Sequence, residues 1–207
     1  MRYTGPKNRI ARREGVDLGF KTPGSKSHAR LLKKLSVPPG QHGASRRRRK
    51  LSDRARQLRE KQKLRYLFLV SEKQLKKYFK EASFKKGNTA VYLAKFLEKR
   101  LDNVVYRAGV TPTRASARQL VVHGHIKVND RLVSIPSFQA KKCDIITFSK
   151  ESTAKIPYVE KTLLNKDLII PDWLERKATI SKMIDEPTNS DIEKQINLRL
   201  VIEHYSR

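Results

Sequence analysis

The sequence predicts an α+β protein: an extended basic N-terminal arm, then helices, then a small unit of two helices packed on a short antiparallel sheet. Three observations predict this. The first fifty residues are rich in Gly, Pro, Lys and Arg and hold little to bury. Apolar residues then recur at helical spacing between residues 71 and 108. Finally, residues 113 to 148 read as a capped helix, a glycine stop and short alternating strands.

Taken in order, the arm contains Pro6, Pro23, Pro38, Pro39 and the run Arg46-Arg47-Arg48-Arg49-Lys50, and it is expected to order on a partner. Ser52 offers an N-cap to a long helix, DRARQLREKQKLR, that is polar nearly all round. Such a helix is either solvated or laid on something charged, which makes Arg54, Arg56, Arg59, Lys61 and Lys63 candidate phosphate contacts. Ser71 with Gln74 forms a capping-box pattern, and Leu75, Tyr78, Phe79 and Ala82 give the next helix an inner face. Beyond Gly87, Leu93, Phe96, Leu97, Leu101, Val104, Val105 and Ala108 keep helical spacing, as one long helix or two consecutive ones, up to Gly109.

Thr113 caps the following helix, whose inner face is Ala117, Leu120 and Val121, and Gly124 ends it. Ile126 and Val128 alternate with Lys127, Asn129-Asp130 makes a tight turn, Leu132 and Val133 return, and residues 145 to 148 form another strand. Pro157 opens a short helix, and Pro171-Asp172-Trp173-Leu174 reads as an anchored loop. Residues 196 to 205 fit a strand or a helix equally, and periodicity does not choose between them.

Charge narrows the class of partner. The 207 residues carry a formal charge of +27, which a lone folded protein gains nothing from, so a polyanion is expected. The excess is graded: +17 over residues 1 to 65, +11 over 66 to 150 and −1 over 151 to 207. Phosphate is therefore expected against the first two thirds, and protein contact or packing in the last. With Cys143 alone, disulfide frameworks and cysteine-rich metal sites are excluded, and a reducing, cytoplasmic setting fits. No apolar run approaches the roughly 20 residues of a membrane span, and the N-terminus lacks the apolar core of a secretory signal.

The sharpest candidate site is the helix after Thr113. Arg114 and Arg118, four apart, lie one above the other on a face away from Leu120 and Val121. The glycine stop is expected to bring His123, His125 and Lys127 to the end of that face, making a rigid cationic ledge suited to the shallow groove of folded RNA. Arg107 is a further candidate.

These residues also carry a resemblance. Arg100-Leu101-Asp102-Asn103-Val104-Val105-Tyr106-Arg107, then Arg114, Ala117-Arg118-Gln119-Leu120-Val121, His123-Gly124-His125-Ile126 and Val128-Asn129 resemble the RNA-binding module of the small-subunit ribosomal protein four family. The likeness extends over Tyr3-Thr4-Gly5-Pro6-Lys7, Arg12-Arg13-Glu14-Gly15, Pro38-Pro39-Gly40-Gln41-His42-Gly43, Leu58-Arg59-Glu60-Lys61-Gln62-Lys63 and Tyr205-Ser206-Arg207, which is the bacterial type. It implies a helical domain with the RNA-binding module inserted, and a C-terminus that returns to the helical domain as a helix.

On that basis the expected organisation is a basic arm over 1 to 50, the first part of the helical domain over 51 to 96, and the module core over 97 to 150. The remainder of the module with a return loop follows over 151 to 189, and a segment packing on the helical domain over 190 to 207. The implied function is structural and not enzymatic: a primary binder of small-subunit ribosomal RNA at a multi-helix junction, acting early in assembly. The implied partners are that RNA, messenger RNA (mRNA) near the channel where it enters, and neighbouring small-subunit protein five, an interface tied to decoding accuracy. No membrane, homo-oligomer, cofactor or metal is expected, and the location is a bacterial or organelle-type ribosome. Gln119, within the matched motif, joins the RNA-binding candidates, as does the run from Arg46 to Lys50. Many members carry four zinc-holding cysteines near the N-terminus; here Asn8 and Ala11 stand at matching positions, so a zinc-free form is expected.

Two rivals remain at this level. An RNA-modifying enzyme carrying the same module would need a catalytic domain, but outside residues 97 to 150 there is no phosphate-cradling Gly-rich loop or nucleophile motif. A general polyanion binder would rely on counterion release without structural specificity.

Overall fold

The structure, a computed structural model, describes residues 5–43, 45, 51–165, 169–187, 192 and 196–206. The chain forms two compact units: Met1–Leu93 with Asn189–Arg207, and Ala94–Thr188. No helix among the described residues is long and apolar enough to cross a membrane.

The first unit is helical in its described residues. Helices α1 (Lys7–Glu14) and α2 (Lys26–Lys33) occupy the stretch expected to be an extended arm, and they correct that expectation. Ile10, Ala11, Leu18, Phe20 and Leu31 are buried. Polar bonds supplement this small core: Arg12 donates from Nε to the Val37 carbonyl and from Nη2 to the Pro38 carbonyl, both at 3.0 Å. His28 Nε2 lies 2.7 Å from Asp17 Oδ2. A fork of fixed donors can order a loop that has few apolar residues of its own. Gly15 closes α1 at φ 69, a left-handed conformation that a side chain would strain.

Helix α3 (Asp53–Leu67) begins at Ser52, whose Oγ accepts from Ala55 N–H. In α4 (Glu72–Ser83) Ser71 likewise accepts from Gln74 N–H at 3.2 Å, while the Gln74 amide turns to Tyr78 Oη instead of back to the cap. The stretch that periodicity left open is helical: α9 (Leu198–Tyr205) is capped by Asn197, buries Leu198 and Val201, and packs on α3 and α4. Its contacts are polar as well as apolar. Gln57 donates to Glu203 at 3.0 Å, Tyr205 Oη donates to Glu72 at 2.7 Å, and the Tyr205 ring stacks on Phe79 with centroids 5.0 Å apart.

The division between units falls within α5 (Thr89–Glu98). The second unit continues with α6 (Leu101–Arg107), α7 (Arg114–Val122), strands β1 (Ile126–Val128), β2 (Arg131–Leu132) and β3 (Ile145–Phe148), and α8 (Pro157–Leu163). Strands β4 (Leu174–Lys177) and β5 (Ile180–Met183) complete an antiparallel sheet ordered β2-β1-β3-β5-β4. The expected short sheet is thus larger, because Leu174 starts a strand where an anchored loop was expected. The hairpin hides in sequence because its turn places Ala178 at φ 51, with no Gly or Asn to announce it. The Asn129-Asp130 turn is as expected, with both residues at positive φ. Ile126, Val128, Ile146, Leu174 and Met183 from the sheet share one core with Val104, Val105, Ala117, Leu120, Val121 and Val159 from the helices.

Candidate nucleic-acid interface

The junction between α5 and α6 places Glu98, Arg100 and Asp102 in the interior, at 1%, 0% and 4% exposure. Isolated charges there would cost several kcal/mol each, so their pairing decides the local geometry. Arg100 grips Asp102 through Nε at 3.1 Å and Nη2 at 2.8 Å. Oδ2 of that carboxylate, which accepts from Arg100 Nη2, also accepts from Arg118 Nη1 at 3.0 Å. Glu98 accepts the fork of Arg107 at 3.1 and 2.7 Å and also the Asn103 amide. Asn103 in turn accepts from Arg114 Nε at 2.8 Å, and the Arg114 guanidinium sits 4.5 Å from the centre of the Tyr106 ring.

Two buried carboxylates therefore hold Arg100, Arg107 and Arg118 directly, and Glu98 holds Arg114 through Asn103. Ordering a long cationic side chain costs about 2 kcal/mol of rotamer freedom, and here that ordering precedes any partner. Burial lowers the Arg114 guanidinium from its ordinary pKa, while Tyr106, Glu98 and Asp102 oppose the shift. Arginine stays charged through any such shift.

The expected ledge is partly assembled. Arg107, Arg114 and Arg118 converge on the Glu98–Asp102 network, and Gln119 and His123 lie exposed farther along α7. The rings of His123 and His125 are 6.3 Å apart, and His125 Nδ1 lies 3.3 Å from Thr153 Oγ1. Lys127 departs from the ledge. It pairs across the sheet with Leu132 and Thr147, the face opposite Ile126 and Val128, which pack with α7. Side chains alternate along a strand, so the core-facing neighbours of Lys127 force it to the other side.

In the helical unit the candidates on α3 divide. Arg54 is exposed, and Arg56 is exposed at 3.9 Å from Asp53. Arg59 pairs with Glu14 at 3.0 Å, and Lys63 with Glu60 at 2.7 Å. Lys61 corrects the expectation of a phosphate contact: it is 7% exposed, and its Nζ lies 2.9 Å from Glu72 and 5.9 Å from the Tyr205 ring centre. The return of α9 onto α3 turns Lys61 inward. Arg46, Arg47, Arg48, Arg49 and Lys50 lie outside the described residues.

Sequence reasoning missed the residues that hold the ledge. Arg100, Asp102 and Asn103 stand in the matched motif but read there as motif letters, and Glu98 carries no local mark of burial. Arg176 was also missed; its Nη1 donates to the Ala108 and Gly109 carbonyls at 3.1 and 2.9 Å and satisfies the end of α6. Among the described residues no group of three or more His, Cys, Asp or Glu side chains is arranged to hold a metal ion.

Comparison with known proteins fits this geometry. Residues 2–98 match the family model described as the ribosomal protein S4/S9 N-terminal domain, and residues 99–146 match the S4 domain. Small ribosomal subunit protein uS4 of Chloroflexus aurantiacus is 43% identical over 211 residues, covering 100% of this chain and 99% of its own. The uS4 of Laribacter hongkongensis is 43% identical over 208 residues with the same coverage, and that of Persephonella marina is 45% identical over 210 residues, 99% of this chain and 98% of its own.

Proposed function

The chain belongs to the family of small ribosomal subunit protein uS4, and from that premise we propose how its charged surfaces act. It is a non-enzymatic, structural component of the small ribosomal subunit that binds ribosomal RNA. The reading as an RNA-modifying enzyme is thereby set aside.

The proposed RNA surface of the second unit is Arg107, Arg114, Arg118, Gln119 and His123, with Lys127 serving RNA on the outer face of the sheet. In the helical unit Arg54, Arg56, Arg59 and Lys63 are the proposed contacts, together with the run from Arg46 to Lys50. One observation carries this reading: Asp102 and Glu98 hold arginines in place from within. A general polyanion binder has no need of buried carboxylates that fix its cations. Held donors suit one phosphate arrangement and disfavour others, which is shape recognition.

The finer role is binding at a multi-helix junction early in assembly, supported by the family likeness and the strongly basic first two thirds of the chain. The less basic last third is the proposed contact with small-subunit protein five, where decoding accuracy is influenced. The decisive experiment is competition followed by footprinting. Bound small-subunit ribosomal RNA should resist displacement by an equal concentration of a non-cognate structured RNA at moderate salt, and the footprint should cluster at one junction. Equal displacement, or a footprint spread without focus, would leave only charge-driven binding.

A further inference from the structure

In the helical unit a pocket of about 440 Å³ lies between one face of α1 and one face of α3. Arg9, Ile10, Arg13 and Glu14 form the first wall, and Leu58, Arg59, Gln62 and Tyr66 the second. Both walls follow from helical spacing: Arg9 and Arg13, Ile10 and Glu14, Leu58 and Gln62, and Gln62 and Tyr66 are each four apart.

Two features of the walls are unanswered within the protein. Glu14, whose side chain is 3% exposed, engages Arg59 through Oε1, but its Oε2 is buried and accepts no hydrogen bond; Gln62 Oε1 is in the same state. A buried acceptor without a donor is costly and rare. Meanwhile Arg9 and Arg13 are exposed, and neither forms an ion pair with the described residues.

We infer that this pocket receives one unstacked nucleotide of the RNA, with an amino-bearing base between the walls and its backbone phosphates on Arg9 and Arg13. The inference rests on the ribosomal-RNA reading above and adds a base-reading site to it. Two orphan acceptors ask for N–H donors, which the exocyclic amines of guanine, adenine and cytosine supply and uracil, with one N–H, supplies poorly. Leu58, Ile10 and the Tyr66 ring offer apolar surface to the base, and splayed bases are the features of RNA that proteins read individually. The carboxylates of an acidic peptide would satisfy the arginines but would bring acceptors to Glu14 and Gln62.

The test uses the full chain with bacterial small-subunit ribosomal RNA transcribed in vitro, comparing Gln62→Met and Tyr66→Leu with the unaltered protein. Gln62→Met keeps length and volume while removing the acceptor, so it carries the comparison if Tyr66→Leu lowers the melting temperature. The expected result is roughly tenfold weaker binding at an unchanged salt dependence, because no phosphate contact is lost. One amino-bearing base should also regain chemical reactivity. Unchanged affinity and reactivity in both variants would overturn the inference and assign the pocket to water, leaving RNA binding itself intact. Weakening with a shallower salt slope and no change at any base would overturn it in favour of a backbone-only contact. Failure of the unaltered chain to bind the RNA would overturn the functional reading and this inference together.

Discussion

Arg118 Nη1 lies 3.0 Å from Oδ2 of Asp102, the same oxygen that accepts from Arg100 Nη2, while Arg100 Nε holds Oδ1. The half-buried Arg118 is thus an extension of a buried ion pair. Replacing Arg114 and Arg118 together with Ala should weaken binding to small-subunit ribosomal RNA and flatten its salt dependence. Each lost phosphate contact should change the log–log slope by roughly 0.7 to 0.9. Filter binding across a salt series reads both quantities, and equal slopes in mutant and parent would refute the contact.

Removing Asp102 tests the interior half of the same arrangement. With Asp102→Ala, Arg100 remains fully buried without its carboxylate, a loss on the order of 3–5 kcal/mol. The expected outcome is a melting temperature lowered far more than by Arg118→Ala, whose partner stays paired. Comparable shifts in the two variants would mean that the other contacts of Arg100 make up for the lost carboxylate.

Glu186 predicts an acid-dependent contribution. It accepts from Lys99 and Lys95, bonds that hold its carboxyl at about 2, below the ordinary 4.5. A depressed carboxyl stabilises the fold fully above about 4.5 and loses that contribution as pH falls toward about 2. Glu186→Gln should therefore lower the melting temperature at neutral pH, with the difference closing over that window. The shift will be small and will shrink in high salt, since the side chain is 46% exposed. A difference that persists below pH 2 would show a steric cause.

Metal content is predicted from the missing cysteines. Protein purified without added metal should contain no stoichiometric zinc by elemental analysis, because Cys143 alone supplies no thiolate set. One zinc per chain retained through chelator treatment would reveal ligands drawn from histidines and carboxylates.

The run from Arg46 to Lys50 yields a functional prediction. Five adjacent charges cannot be buried without heavy desolvation, so they meet water or phosphate. Such heads hold backbone without reading bases, which suits a moving message as well as fixed RNA. Changing Arg46, Arg48 and Arg49 to Gln should leave subunit assembly intact yet slow elongation through mRNA containing hairpins. Equal slowing on unstructured mRNA, or exclusion of the mutant from subunits, would assign the run to ribosomal RNA anchoring.

Much of this protein was determined by sequence alone, because the signals are local. The caps Ser52, Ser71 and Thr113 each bond a backbone N–H three residues on, within a single turn. The Asn129-Asp130 turn needs only two residues that tolerate positive φ. The charge gradient and the α+β class follow from composition and period in the same way. Which basic side chains remain available is a different matter. Lys61 and Arg54 look equivalent on one polar helix, yet α9, arriving from the far end of the chain, turns Lys61 inward, as it does Gln57 toward Glu203 146 positions away. Proximity in sequence places Lys127 on the ledge, whereas the alternation of β1 puts it on the other face of the sheet. The buried carboxylates that hold Arg107 and Arg118 are ordinary charged letters until α5, α6 and α7 enclose them. Only tertiary packing decides burial, because desolvation depends on what covers a side chain, and the covering residues lie elsewhere in the sequence.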